Sequence, residues 1–229
     1  STPNYAVSVH EALDSWLVSI WNYTNSFGGT DALTSISYLF YFSDINSTST
    51  YDVLITFTSD EMPPNSNTVG LTTYTWNTAT HEPVGSITIN ITTFSKTASP
   101  LFVKNIAMHE FGHALGLGHA SSENTLSGPE LMYRSSSKDQ IVYPSTLDIY
   151  GLIMLYQGNF DKVVQLPSSI PYEMLSEGSV PPPHTPFWEA YYRYLIILAA
   201  LLLILATGLT LRKTKKPEES TEEAFVTML

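Results

Sequence analysis

The chain contains no cysteine among its 229 residues. This absence excludes disulfide frameworks, thiolate metal sites and cysteine nucleophiles, so a bound metal must be held by His, Asp or Glu side chains. Charge is also scarce, since only 14% of the residues are Asp, Glu, Lys or Arg, against a usual share of about 25%. There are 10 basic and 21 acidic residues, and this net charge of −11 excludes a surface for nucleic acids.

The chain has enough residues for one domain of roughly 100–200 residues with further segments, and it has one long apolar run. Residues 194–211 form about 18 positions without a charge, near the lower end of the roughly 17–25 residues that cross a bilayer as a helix. Four basic residues follow in 212–216, and the positive-inside rule places them in the cytoplasm. The sequence therefore predicts a single-pass membrane protein at the cell surface, with its N-terminal part outside and a cytoplasmic tail, 212–229.

An exported N-terminal part agrees with three glycosylation sequons, which begin at Asn22, Asn46 and Asn90. The chain starts at Ser1 with no charged and then apolar leader, and we expect that an export signal has been removed. Disulfides are common in proteins of an oxidising exterior, so the lack of cysteine favours a prokaryotic source, and we suspect an archaeal one.

Hydrophobic spacing predicts a domain of helices and strands over residues 1–157. Residues 5–21 place apolar side chains at helical spacing, with a strong apolar stripe. Short runs rich in β-branched and aromatic residues predict strands. These runs are 36–42, 52–58, 71–76 and 86–91.

Local start and stop signals mark the ends of two further helices. Ser99 is a suitable N-cap, and Pro100 fits the first turn of a helix that ends near Gly116. Ser145 and Asp148 form a variant of the capping box at the start of the last helix. Beyond that helix, the prolines of residues 158–193 predict an extended stalk between the domain and the membrane span.

Five residues in the second helix and just after it define the chemistry. His109 and His113 are four apart, so both imidazoles project from one face of the helix. Gly116 allows a sharp exit that brings in His119, and three neutral imidazoles leave a tetrahedral Zn²⁺ with one open position for water. Glu110, beside the first ligand, is placed to act as a general base. The spacing predicts one catalytic zinc ion.

The motif HEFGHALGLGH, residues 109–119, resembles that of the metzincin zinc peptidases, and most of all the matrixin branch. Met132 stands where that family has a methionine-containing turn, the Met-turn, beneath the zinc. The resemblance covers about residues 5–157. It implies an α+β catalytic domain with a twisted mixed sheet, an active-site helix, the Met-turn and a C-terminal helix. The implied activity is zinc-dependent endopeptidase hydrolysis of a peptide or protein substrate.

The resemblance also implies that the substrate lies extended along an edge strand, beside a pocket next to the zinc. The residues implied to contact it are Leu71, Thr72, Thr73, Tyr74, Asn105 and Tyr133. Asp148 resembles an acid that ties down the Met-turn, while its position suits plain helix capping equally well. The strand 71–76 has Thr and Tyr where matrixins commonly hold ligands for a structural zinc, so we expect no second zinc.

Two alternatives stand beside a membrane-anchored extracellular peptidase. A cell-surface subunit with the metzincin fold could bind zinc without catalysis, although an intact Glu110 argues against it. A binding module with a structural zinc is the second alternative, although structural sites usually supply four ligands and not three. The sequence indicates no oligomeric state.

Overall fold

The computed structural model describes residues 4–28, 51–60, 62, 67–80, 82–95, 97–135, 140–158 and 163–175. Three helices and three strands lie within these residues. In chain order they are α1 (Tyr5–Phe27), β1 (Val53–Thr58), β2 (Gly70–Asn77), β3 (Glu82–Thr92), α2 (Pro100–Ala114) and α3 (Thr146–Tyr156). The prediction of a mixed α+β domain is confirmed at this level.

The described strands form a mixed sheet in the order β1-β3-β2. β3 lies in the centre, parallel to β1 and antiparallel to β2. Ile87, Ile89 and Ile91 of β3 are buried, as the alternation of side chains along a strand requires. β2 is an edge strand of this sheet, and its Tyr74 and Trp76 are exposed.

Helix α1 packs against α2 through the apolar stripe that spacing predicts. Trp16 is fully buried, and its indole N–H donates to the carbonyl of Met108 in α2 at 2.9 Å. The helix continues to Phe27 and not only to residue 21. Tyr23 explains the extension, because it is buried and its ring lies 5.2 Å from the ring of Phe27.

Helices α2 and α3 begin where their capping residues predict. The Ser99 hydroxyl accepts from the Phe102 N–H at 3.1 Å, and Pro100 occupies the first turn of α2. At α3 the capping box is reciprocal. The Asp148 N–H donates to the Ser145 hydroxyl at 3.2 Å, and the Ser145 N–H donates to the Asp148 carboxyl at 2.8 Å.

The packed domain continues beyond the boundary that composition suggests at residue 157. Residues 163–175 lie against the start of α3, where the Leu175 N–H donates to the Pro144 carbonyl at 2.9 Å and the Leu175 side chain is buried. Residues 163–175, which fall within the predicted stalk 158–193, therefore belong to the domain. Their main-chain groups bond to main-chain groups of the domain, whereas those of an extended spacer would bond to water.

Other sequence predictions fall outside the described residues. These are the strand 36–42, the sequon at Asn46, the span 194–211 and the tail 212–229. By their contacts, the described residues all belong to one unit, Ser1–Pro181. In the part of the chain that is described, no helix has the length and apolar character needed to span a membrane. The membrane span stays a prediction.

Candidate metal centre

Helix α2 and the turn that follows it bring three histidines together. The helix ends at Ala114, and Gly116 adopts φ +98°, a conformation that favours glycine. The Leu117 N–H then donates to the Gly112 carbonyl at 2.9 Å, which closes the turn. The chain folds back from this exit and returns His119 to the helix face, as the sequence predicts.

The Nε2 atoms of the three imidazoles converge on one point. The distance between Nε2 of His109 and Nε2 of His113 is 3.1 Å. Each of these atoms lies 3.3 Å from Nε2 of His119. The Nδ1 atoms of His109 and His113 face the carbonyls of Leu131 and Leu117 at 2.7 and 2.8 Å. A carbonyl oxygen only accepts, so both Nδ1 atoms bear the proton and both Nε2 atoms present lone pairs.

This donor set fits zinc. Converging lone pairs repel one another unless they share a cation, and neutral imidazole nitrogen is a preferred zinc ligand. Tetrahedral Zn–N bonds of about 2.0–2.1 Å separate two ligand nitrogens by about 3.3 Å, close to the separations observed here. Within the described ranges, His109, His113 and His119 form the one group of this kind that could hold a metal ion. The absence of a second zinc stays a prediction.

The surroundings of His109 and His119 favour the neutral form of these two imidazoles. Burial lowers the pKa of His109 to about 4, the charges of His113 and His119 add to this effect, and the bond to Leu131 opposes it. Burial also lowers the pKa of His119, with the charges of His113 and Arg134 acting in the same direction. Since a metal binds the neutral imidazole, these two ligands are in the binding form at neutral pH.

Glu110 lies between α2 and the edge strand β2. Its side chain is buried, and its Oε2 accepts from the Thr72 hydroxyl at 2.6 Å. Its Oε1 occupies the space that a Cβ on Gly70 would need. Burial raises the pKa of Glu110, while the Thr72 bonds and the charge of His113 oppose the rise. The resemblance implies for Thr72 only a substrate contact, and no local signal in the sequence marks it as a partner of Glu110.

The three histidines and Glu110 line a cleft of about 700 Å³. Leu71, Thr72 and Tyr74 from β2 line it, as expected for residues near a substrate. Substrate contact by these three residues stays a prediction. The other lining residues include three apolar side chains and one cation: Phe94, Phe102, Ile106 and Arg134.

The structure does not place the other three implied substrate residues at this cleft. The Thr73 hydroxyl lies 3.4 Å from a β3 carbonyl, because alternate strand residues face opposite sides. Asn105 is buried, and its amide bonds the main chain of Gln140 and Val142. It therefore holds the loop before α3. Tyr133 is absent from the lining, where its successors in the chain contribute instead.

Met132 lies against the ligand helix, where the Met-turn prediction places it. It is 1% exposed, and its thioether occupies the space that a Cβ on Gly112 would fill. Trp16 approaches the same point from α1. Gly112, between the two ligands of α2, thus allows two large side chains to pack directly against the helix backbone.

Asp148 makes a contact of the kind that each of its two predicted roles requires. It caps α3, and its carboxyl interacts with the buried Glu130, whose Oε1 accepts from the Met132 N–H at 3.1 Å. Burial first, and the charge of Glu130 next, raise the pKa of Asp148 well above its ordinary value. Glu130 is not among the residues predicted from the sequence, where its one signal is an acid two positions before Met132.

The sequons differ in their surroundings. Asn90 lies on β3, and its side-chain oxygen accepts from the Thr56 hydroxyl of β1 at 2.5 Å. Asn22 lies on α1 and is half-buried. Glycosylation at these positions and at Asn46 stays a prediction.

Comparison with known proteins gives two matches. The sequence model of the matrixin family matches residues 6–157, which is more than half of the chain. Metalloendoproteinase 1-MMP of Arabidopsis thaliana is 31% identical over 107 residues, which are 45% of this chain and 26% of the plant protein. The chain thus spans about a quarter of the length of that relative. No solved structure gives a significant match.

Proposed function

The chain belongs to the matrixin family of zinc-dependent peptidases, and we propose that its domain hydrolyses internal peptide bonds of extended peptides or unfolded proteins. The observation that supports this most is the position of Glu110, in the same cleft as three converging imidazoles. A structural zinc site would need a fourth protein ligand and would have no use for an adjacent base.

His109, His113 and His119 would hold the zinc ion. When bound, zinc supplies a Lewis acid that polarises a carbonyl group and makes water more acidic. The main-chain carbonyls of Leu131 and Leu117 orient the first two imidazoles through Nδ1. Such outer hydrogen bonds set the ring orientation and raise the basicity of the ligand nitrogen.

Glu110 moves the proton. Its carboxylate takes a proton from the attacking water and delivers it to the leaving amine nitrogen. The Thr72 hydroxyl holds Oε2, and the absence of a side chain at Gly70 leaves room for Oε1. Burial raises the pKa of Glu110 and so brings its proton affinity closer to neutral pH, where a general base works best.

Strand β2 offers the substrate a main-chain partner. As the edge strand of the described sheet, it bonds β3 on one side only, and an extended peptide can add to the other. Main-chain pairing tolerates many sequences, so side-chain preference falls to the cleft. Phe102 and Ile106 favour an apolar side chain, while Arg134 favours an acidic group near the metal site.

A membrane-anchored position outside the cell is part of the proposal. The uncharged run 194–211, the basic residues that follow it and the sequons support this arrangement. The chain has no cysteine, so single-cysteine variants report topology directly. In intact cells, an impermeant thiol reagent should label Ser26→Cys on α1 and leave Ser220→Cys unlabelled. The reverse pattern would refute this topology.

Hydrolysis of an unfolded protein by the zinc-loaded full chain tests the activity. Glu110→Gln should lower kcat/KM about 10²–10⁴-fold, because the proton acceptor is lost. Glu123→Gln, an exposed acid in the loop after the histidines, is the matched control and should cleave like the wild type. Equal cleavage by the Glu110 variant would refute the general-base role. No cleavage by the zinc-bound wild type over a range of pH and temperature would favour a silent surface subunit.

A further inference from the structure

One peptide group in the Met-turn is hydrogen-bonded at both of its ends. The carbonyl of Leu131 accepts from Nδ1 of His109 at 2.7 Å. The N–H of Met132, in the same peptide group, donates to Oε1 of Glu130 at 3.1 Å. A carboxylate at the N–H end polarises the peptide and makes its carbonyl oxygen a stronger acceptor. Glu130 therefore acts on His109 through a single peptide group.

Glu130 is itself held by residues far away in the sequence. It is 2% exposed, and its Oε2 accepts from the Tyr172 hydroxyl at 2.6 Å. Burial, and then the bond to Glu130, raise the pKa of Tyr172, so its hydroxyl keeps the proton that it donates. Asp148 is the other acid beside Glu130. Burial first, and the charge of Glu130 next, raise the pKa of Asp148 and so favour its protonated form.

Tyr172 belongs to a segment beyond the part of the chain that matches the family model. Residues 163–175, named here the C-terminal strap, follow α3, whereas the match ends at residue 157. The Tyr172 carbonyl accepts from the Leu126 N–H at 2.7 Å, and the Met174 N–H donates to the Ser127 hydroxyl at 2.7 Å. The strap is thus joined to the loop that leads into the Met-turn.

We propose that Glu130 is a positioning residue for the zinc ligand His109, acting through the Leu131–Met132 peptide, and that Tyr172 of the C-terminal strap holds Glu130 in place. The proposal rests on the metal-binding part of the proposed function and does not depend on peptide hydrolysis. It assigns to the strap a direct part in metal affinity. A domain cut at residue 157 would lack Tyr172 and bind zinc more weakly.

Zinc affinity of the full chain, kept in mild detergent and measured by competition with a chelator, tests the proposal. Glu130→Gln keeps the shape of the side chain and removes its charge, and it should raise the zinc dissociation constant about 10–100-fold. Tyr172→Phe should raise it about threefold or more, because one bond to the carboxylate is lost. The matched controls, Glu123→Gln and Tyr156→Phe, alter exposed residues and should leave the constant unchanged.

A second measurement separates positioning from general support of the fold. In the metal-free protein with ¹⁵N-labelled histidine, the Nδ1 proton of His109 should move upfield in Glu130→Gln, because its hydrogen bond weakens. A purely structural role would lower the unfolding temperature and leave both this signal and the zinc constant of the folded protein unchanged.

The outcomes decide between the two proposals. A zinc constant within about twofold of wild type in both folded variants, with an unmoved His109 signal, overturns the positioning role. If Glu130→Gln does not fold, Tyr172→Phe gives the same decision. If the wild type binds no zinc, the metal part of the proposed function fails, and the His109 signal of the metal-free protein still tests the connection to Glu130.

Discussion

Glu110 and Glu130 are both buried carboxylates near the histidines, but their surroundings differ. Glu110 faces the cleft, and its side-chain donor is the Thr72 hydroxyl of the edge strand. Glu130 lies on the Met-turn side, where it accepts from the Met132 N–H and the Tyr172 hydroxyl and lies beside Asp148. A group that exchanges protons needs access to the substrate. A group that orients a ligand gains from having every oxygen engaged.

The largest expected effects separate these two carboxylates by the quantity that each controls. Glu110→Gln should lower kcat/KM about 10²–10⁴-fold and leave zinc affinity within about threefold of wild type. Glu130→Gln should instead raise the zinc dissociation constant about 10–100-fold and retain most of kcat at saturating zinc. Steady-state kinetics and chelator competition on both variants check this. Identical effects of the two substitutions on both quantities would abolish the distinction.

The packing on the Met-turn side gives the next largest effect. Gly112→Ala would place a methyl group in the space of the Met132 thioether, and it should lower the free energy of unfolding by about 1–3 kcal/mol. Urea unfolding measures this. Gly118→Ala is the control, because a Cβ added at Gly118 would meet no atom within 4 Å. Its free energy of unfolding should stay within about 0.5 kcal/mol of the wild-type value. The cost should shrink in a Met132→Ala background, and an equal cost there would contradict direct packing.

On the cleft side, Gly70→Ala should lower both activity and stability. The new methyl group would displace the Glu110 carboxylate, which can rotate into the cleft. Hydrolysis should fall about 10–100-fold, because a base that is misplaced by about 1 Å loses much of its effect. The free energy of unfolding should also fall, by about 1–3 kcal/mol, because the same methyl group would lie 2.7 Å from Cγ2 of the buried Ile106. Wild-type activity in a folded Gly70→Ala protein would show that the position of Glu110 is not set by this contact.

The smallest expected effect is the pH dependence that Asp148 contributes. Its pKa is raised above 3.8 in the folded state, so the folded protein retains a proton that the unfolded chain loses. This contribution to the free energy of unfolding therefore falls as pH rises from about 4 through the folded pKa. Asp148→Asn should make the decline between pH 5 and 8 smaller. At pH 5 it should stay within about 1 kcal/mol of wild type, because the neutral Asn carboxamide oxygen can still accept from the Ser145 N–H.

Urea unfolding across that pH range measures the effect. The exposed Asp14→Asn on α1 is the control and should keep the wild-type decline. A decline in Asp148→Asn as steep as that of wild type would assign the pH dependence to other groups.

The parts of the site that could be predicted from sequence depend on short-range geometry. Ser99, Ser145 and Asp148 set the helix starts through hydrogen bonds to residues three positions away, and Pro100 has the φ that the first turn requires. Where the structure differs from the sequence prediction, the reason lies in the packing of the whole domain. α1 continues to Phe27 because Tyr23 is buried in the core, although residues 22–26 are mostly polar.

The residues that the structure places in a different role from the predicted one have hydrogen-bond partners far away in the sequence. Asn105 is directed by its position on α2 toward the loop before α3, not toward the cleft. The strap 163–175 contains proline and has no regular pattern, yet it docks because its hydrogen-bond partners lie near residues 126 and 144. Such pairings follow from the free energy of the whole domain, and a local pattern does not contain them.

The sequence alone determined the metal-binding motif. A four-residue spacing on a helix aligns His109 with His113, and Gly116 permits the exit that returns His119, whatever surrounds them. Only the tertiary structure decided which groups act on that motif. Thr72 reaches Glu110, Tyr172 reaches Glu130, and the Met-turn carbonyl of Leu131 reaches His109 through contacts between residues more than twenty positions apart. The periodicity of the backbone dictates the first kind of relation, whereas the second exists only once the chain has packed.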